Sequence, residues 1–563
     1  MKTWNAAAAA TLAIAGVMAV TASGCFKGEE DTCEYWTQQL EKSADIDRAM
    51  RKVSQLRCSA ALPVLKKLYE DGQFQEAVLQ TTKEIGDRAG AADILRMALR
   101  STTQAKLAAT IIADWKMKEM KEDLLKILTD DAMIGNREAA LNALLAIEEP
   151  KSLEDALVKL ADADANLQGV EVTARAIQEL GKMRSEKAVP ALLKAVYLRT
   201  NKGFEVYRDA RRALAEIGTG VPEAALKVLT GDAPEVREFT RQIGVQDWET
   251  RFGPKTVQLL ADSLDPMIAQ PLAKNMAEDL APPVGVSDKA MDQWTAGQRN
   301  RLKVAVFGIA QVGTDAAVEQ LTAILKDKAM DTVNQRLNAA TALAMIGTDA
   351  AQAALIDAYK TETSEAFKRP LLQYLALALD DAHLTEIEAD IKAATDDVKA
   401  KRDEFDKALG ELEAEVKSAE DAQKAELMQK LAYAKEDKAA FQMTLDKLDG
   451  YLWNGVRECK DNESCYLKKL KGDNQDQKVK ALAMLARGRL GDRQRALDAA
   501  YEAFTGSAKE EVDTKRFALT VLTRLGDAKT GKRLLDLEGT LEEKDLFWRD
   551  ELHCVGSYLS RRP

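Results

Sequence analysis

The residues able to do nucleophilic, acid–base or metal chemistry are few. The chain of 563 residues has two histidines, His383 and His553, and six cysteines, Cys25, Cys33, Cys58, Cys459, Cys465 and Cys554. A Ser–His–Asp set would need one of those two histidines as its base. His553 and Cys554 suggest a thiol–imidazole pair, but neighbours on a helix point about 100° apart, so adjacency does not make a dyad. A zinc site needs cysteine or histidine at short spacings, and there is no Cys-x-x-Cys. Glycine-rich phosphate loops are missing as well. The 91 acidic residues are too evenly spread to single out a carboxylate pair. The expectation is therefore no catalytic, cofactor-binding or metal-ligating residues and no enzymatic activity.

The elements that carry these residues repeat. Ala210, Ala213, Leu214 and Ile217 fall at i, i+3, i+4 and i+7 and share one helical face. Gly218 follows, able to take the left-handed conformation that ends a helix. Ala225, Leu226 and Leu229 then begin a second stripe. Leu180-Gly181, Val312-Gly313, Ile346-Gly347, Leu490-Gly491, Leu525-Gly526 and Ile85-Gly86 each begin the same sequence of events. Gly181 to Gly218, Gly313 to Gly347 and Gly491 to Gly526 are 37, 34 and 35 residues apart. Neither helix of such a pair is stable alone, so each must pack on its neighbours, as in a solenoid.

The segment Asp232-Ala233-Pro234-Glu235-Val236-Arg237, with looser copies at Val333 to Ala340 and Asn136 to Ala140, resembles the HEAT-repeat family. The nearest form is the short bacterial one seen in phycobilin-lyase-like proteins. Val479-Lys480-Ala481 keeps the pattern with lysine in place of arginine. The resemblance implies an all-α solenoid of HEAT-like helix pairs. The lyase connection rests on the repeat alone, and fold does not imply function.

The N-terminus carries an address. Met1-Lys2 precedes an apolar run from Ala6 to Val20, too short to span a bilayer comfortably, which reads as a secretory signal. Ser23-Gly24-Cys25 resembles a bacterial lipobox, although Ala22 stands where that motif usually has leucine. The resemblance implies lipidation at Cys25. The competing reading is ordinary cleavage after Ala22. Phe26 after the cysteine, by likeness to enteric lipoproteins, points to the outer membrane facing the periplasm. In an exported protein disulfides are allowed. Cys33, at the start of one expected helix, and Cys58, at the end of the next, meet in an antiparallel pair. Cys459 and Cys465 flank a polar loop and pair next. Cys554 is then a buried free thiol, or it takes one of the latter two as its own partner.

Hydrophobic residues are 46% and aromatics 5%, with a formal charge of −11. An acidic balance argues against nucleic acid and against electrostatic binding to an anionic membrane. The expected order is a signal over 1–24, a tether and first helix over 25–45, and repeats over 46–383 with an irregular, proline-broken insertion at 264–300. A coiled-coil insertion follows at 384–450, folding back near 418–423, or alternatively pairing between chains. Further repeats occupy 451–540, and 541–563 closes the last open face. In the hairpin, Ile387, Ile391, Val398 and Phe405 step at coiled-coil spacing, as do Leu427, Leu431, Phe441 and Leu448.

These observations favour a lipid-anchored cell-envelope scaffold. It would bind a protein or peptide on a concave face built from the second helix of each pair. The alternatives are a HEAT-like lyase, isomerase or small-ligand binder, and a structural spacer that self-assembles through its coiled coil.

Overall fold

The computed structural model describes residues 32–562, except 43–44, 163–168, 279, 281, 283, 331–333, 455–456 and 509. The signal segment and Cys25 lie outside the described residues. The described residues are almost wholly helical and are built of successive helix pairs, as the repeat pattern predicts. Among the described residues the β structure is one isolated antiparallel bridge, Arg199 to Glu205. No described helix is long and apolar enough to cross a membrane. The chain divides into two compact units, residues 1–148 and 149–563.

The first unit opens with helices α1 (Cys33–Glu41) and α2 (Ile46–Gln55). Cys33 begins α1 and Cys58 follows α2, and the two are bonded with 5.4 Å between Cα atoms. Trp36 and Leu40 of α1 and Ala49, Met50 and Val53 of α2 are buried. The staple therefore closes a real helix pair. Further on, Gly86 takes φ +80° at a helix end, and Asp87 accepts a hydrogen bond from the Gly90 N–H to start the next.

In the second unit the helix pair around Gly218 is α3 (Tyr207–Ile217) and α4 (Val221–Thr230). First helices of later pairs are α5 (Pro254–Ser263), α6 (Asp288–Val312) and α7 (Gln335–Ile346). After α7 come α8 (Asp349–Thr361) and α9 (Glu365–Ala378). The insertion expected at 264–300 is much shorter. Pro266 opens a 3-10 turn, and Pro271 sits in the first turn of an ordinary helix, Ala269–Ala277. There a missing N–H costs nothing, because first-turn donors have no intrahelical partner. Ser287 then caps α6, which runs unbroken past Gly297.

The coiled coil is a hairpin within one chain. Helices α10 (Asp381–Ser418) and α11 (Asp421–Leu448) are joined through Ala419 and Glu420. Ile387, Ile391, Val398, Phe441 and Leu448 are buried, and the Phe405 and Phe441 rings lie 5.3 Å apart. After the hairpin, Cys459 is bonded to Cys465, and Cys554 is a buried free thiol.

The last pairs carry first helices α12 (Gln475–Leu485) and α13 (Val512–Leu525), then α14 (Ala528–Glu538) and α15 (Leu546–Leu559). Two of them are buried nearly all round: α12 from Val479 through Leu485, α13 from Phe517 through Thr523. The same holds for α7, where Ala339, Ala340, Ala342, Leu343 and Ala344 are all at or below 1% exposure. A helix buried on every side must have neighbours on every side. The row α3, α5, α6, α7, α9 packs against second helices on one side and against α12, α13 and α15 on the other. The inward face is thus made of first helices, not second ones as the pattern suggested. The small side chains of the first helices explain why: they let two rows of backbone approach closely.

Candidate functional site

The seam between the two rows is sealed by charge at one end. Arg208 donates to Asp550 at 2.6 Å. Arg211 forks onto Asp262 at 2.6 and 2.8 Å and reaches Glu551 at 2.6 Å. Arg212 pairs with Glu538 and Asp550. Three arginines of α3 and the start of the repeat thus meet three acids from α14 and α15, more than 300 residues later. Arg211, Asp262 and Glu551 are each about 7% exposed or less. Burial pushes the Glu551 carboxyl up, and the Asp262 charge adds to this, because one guanidinium serves both acids.

Along the rest of the seam, basic side chains bind the carbonyls that end helices of the opposite row. Arg561 donates to the carbonyls of Ala215 and Glu216. Arg524 donates to those of Ala310, Met345 and Ile346. Arg487 donates to Ala378, and Lys480 to Ala376, Leu377 and Leu379. As the donor number rises the acceptor number falls, so the rows run antiparallel. The last carbonyls of a helix lack intrahelical partners and carry the negative end of its dipole, which suits a cation. Gly218 and Gly313 have φ near +70°, and a Cβ on either would lie within 2.5 Å of the Arg561 or Arg524 guanidinium. These glycines end helices and also make room for the clamp.

The histidines serve this framework. His553 Nδ1 lies 2.9 Å from Glu538 and Nε2 lies 3.0 Å from Glu216. Burial alone would lower its pKa, but the two carboxylates raise it above the ordinary histidine value. Cys554 faces a different set of groups, and burial pushes its thiol well above the usual range. No thiolate–imidazole pair forms. His383 Nδ1 is 2.8 Å from Asp380, the residue that caps its own helix. Asp349, Asp380 and His383 approach closely enough to hold a cation. Arg489, however, is 2.9 Å from Asp349, and Arg487 is 3.6 Å from Asp380. The carboxylates there already answer guanidinium charge.

One cleft of about 380 Å³ opens where α6, α7 and α9 meet α11, α12 and α13. Phe307, Tyr374, Tyr451 and Phe517 line it, with Lys303, Lys447, Asp513 and Arg516. Arg516 sits 5.4 Å from the Phe307 ring centre. The lining has no histidine and no cysteine. Met443, on its wall, is 50% exposed. Sequence reading missed this site because it forms only when residues about 200 positions apart are brought together by the fold-back. A wider hollow, about 630 Å³, lies between α8 and α9 on one side and α10 on the other.

The family described as PBS lyase HEAT-like repeat has a model that matches residues 335–361, the α7–α8 pair. Arg336 of that match is buried and donates to the Leu325 carbonyl at 2.9 Å, tying one repeat to the next. Among solved structures, the chain is similar to the karyopherin Kap121p bound to the extreme C-terminus of the protein phosphatase Cdc14p. That similarity has 11% identity and a TM-score of 0.33, over 92% of this chain and 72% of the other. Kap121p bound to Nup53p gives 11% and 0.33, over 93% and 74%. Importin beta gives 11% and 0.28, over 92% and 67%. No curated protein matches the chain.

Proposed function

We propose that this protein is a non-catalytic scaffold of the bacterial cell envelope, anchored by lipid at Cys25, that binds an extended protein or peptide segment in the aromatic cleft. The anchor and the outer-membrane address rest on Ser23-Gly24-Cys25 and Phe26. The disulfides Cys33–Cys58 and Cys459–Cys465 support an oxidising compartment. The observation that carries the binding reading is the cleft's lining: four aromatic rings for apolar side chains, with charges of both signs around them. The inward face of 207–378 is filled by the chain's own last repeats, so a partner is read at this cleft rather than along an open concavity.

A photo-reactive amino acid at Met443, in cells, tests the reading. A discrete protein adduct, lost when Phe517 is changed to Ala, supports it. A second reading, a small ligand in the same cleft, is favoured by the volume, which falls within the roughly 300–1,000 Å³ of ligand sites. If Met443 gives no protein adduct and native mass spectrometry finds a retained small molecule, the second reading replaces the first.

A further inference from the structure

A further cavity, of about 270 Å³, lies where the C-terminal ends of α6 and α7 meet the ends of α12 and α13. Four guanidinium-bearing residues line it, Arg487, Arg489, Arg524 and Arg562, and no carboxylate does. Arg524 and Arg562 are engaged by backbone carbonyls. Arg487 is different. Its side chain is only 5% exposed, yet its Nε and Nη1 have no hydrogen-bond partner. The nearest acid, Asp380, stands 3.6 Å from Nη1, beyond good hydrogen-bond length.

A buried guanidinium with idle donors is costly unless something accepts from it. Burial, together with the neighbouring arginine charge, draws Arg487 down to about 10 and Arg524 to about 9. Four cations face the cavity, while two acids, Asp349 and Asp380, answer them from its edge. Water could fill the space, which far exceeds the roughly 10–15 Å³ one molecule needs, but it would leave the excess of four guanidinium groups over two carboxylates unmatched.

We propose that this cavity is a binding site for a small multivalent oxyanion, held by Arg487 and Arg489 across the seam between the two rows of helices. Arg487, Arg489, Arg524 and Arg562 come from the last repeats, whereas Gly313, Gly347 and Thr348 come from the middle ones. A bound oxyanion therefore straps the rows together, and its binding stabilises the fold-back. Phosphoryl and polycarboxylate ligands share the chemistry, since both present charged oxygens to forked donors.

The test is calorimetric titration of the full chain with pyrophosphate, inorganic phosphate, citrate and succinate at matched ionic strength. Arg489→Gln removes one donor from the half-exposed rim, and Arg533→Gln, on a distant exposed ion pair with Asp498, is the control. Saturable binding of one class is expected, weakened roughly tenfold or more by Arg489→Gln and unchanged by Arg533→Gln. The melting temperature without ligand should be the same in both variants. Pyrophosphate binding without citrate binding assigns a phosphoryl ligand; the reverse assigns a polycarboxylate. No saturable binding up to about 10 mM, or equal weakening by both substitutions, overturns the proposal.

Discussion

Replacing Arg211 by Met tests the fold-back through its most buried charge. The guanidinium is the shared partner of Asp262 and Glu551, at 2.6 to 2.8 Å, and all three are almost excluded from water. Removing it leaves two carboxylates without their cation. Breaking a buried pair in this way costs about 3–5 kcal/mol. Asp262 keeps one donor, Gln258 at 2.8 Å, which holds the figure toward the lower end. Glu551→Leu should cost less, about 1–3 kcal/mol, because Arg211 still has Asp262. Changing Arg211, Asp262 and Glu551 together to apolar residues should come within about 1 kcal/mol of the parent or exceed it, since the desolvation cost disappears with the charges. Urea unfolding followed by tryptophan fluorescence reads all of these, because Trp548 is buried on α15, the helix that carries Glu551. The coupling between Arg211 and Glu551 from a double-mutant cycle should exceed about 1 kcal/mol. If Arg211→Met alone falls within about 1 kcal/mol of wild type, α3 and α15 are not held as described.

Gly313→Ala places a Cβ 2.4 Å from Arg524 at φ +66°, so it should cost about 2 kcal/mol or more, while Gly285→Ala, left-handed but in open space, should cost about 1 kcal/mol; thermal unfolding separates them. The seam should also respond to pH. His553 is raised, so its contribution is complete below its unfolded value near 6.5 and fades as pH climbs through the folded value. Glu538 is lowered against the pull of its own burial by His553 and Arg212, so its contribution is complete above about 4.5 and fades as pH drops through the folded value. Melting temperature should therefore be highest between roughly 4.5 and 6.5, with His553→Gln flattening the alkaline limb and Glu538→Gln the acid limb. Removing the Cys33–Cys58 bond, which closes a separation of 25 residues, should cost the first unit about 3–4 kcal/mol while leaving the unfolding of residues 149–563 unchanged.

Much of this fold was legible from spacing. Apolar positions recurring through Ala210, Leu214 and Ile217, closed by Gly218, imply a helix pair, and the pair is there. The hairpin follows from local periodicity and the Cys33–Cys58 bond from which helix ends meet, whereas Cys459–Cys465 was one of two pairings that the sequence left open. The fold-back did not show itself, although two signals were present. Arg487, Arg524 and Arg561 recur every 37 residues at the ends of first helices, and each clamps the opposite row. The other signal was the apolar closing runs of α7, Ala342 to Ile346, and of α12, Ala481 to Leu485, where a solvent-facing helix would keep one polar side. Amphipathic periodicity finds the face that packs on the adjacent repeat, but it is blind to a partner hundreds of residues away. The prolines of 264–300 misled for a local reason. Pro271 falls in a first turn, where proline is harmless. The aromatic cleft and the arginine cavity depend on both rows at once, so no single stretch of sequence contained them.

Alkylation of Cys554 in the native full-length protein tests the fold-back most directly. The thiol is buried where α15 meets α3 and α5, and its pKa is pushed well up. With the last repeats seated on the middle ones, Cys554 should stay unmodified by iodoacetamide at neutral pH until urea opens the unit, and Arg211→Met should speed its labelling sharply. If Cys554 in the folded wild type reacts within minutes, as an exposed thiol does, the two rows are not packed together and the seam, its cleft and its arginine cavity all fall with it.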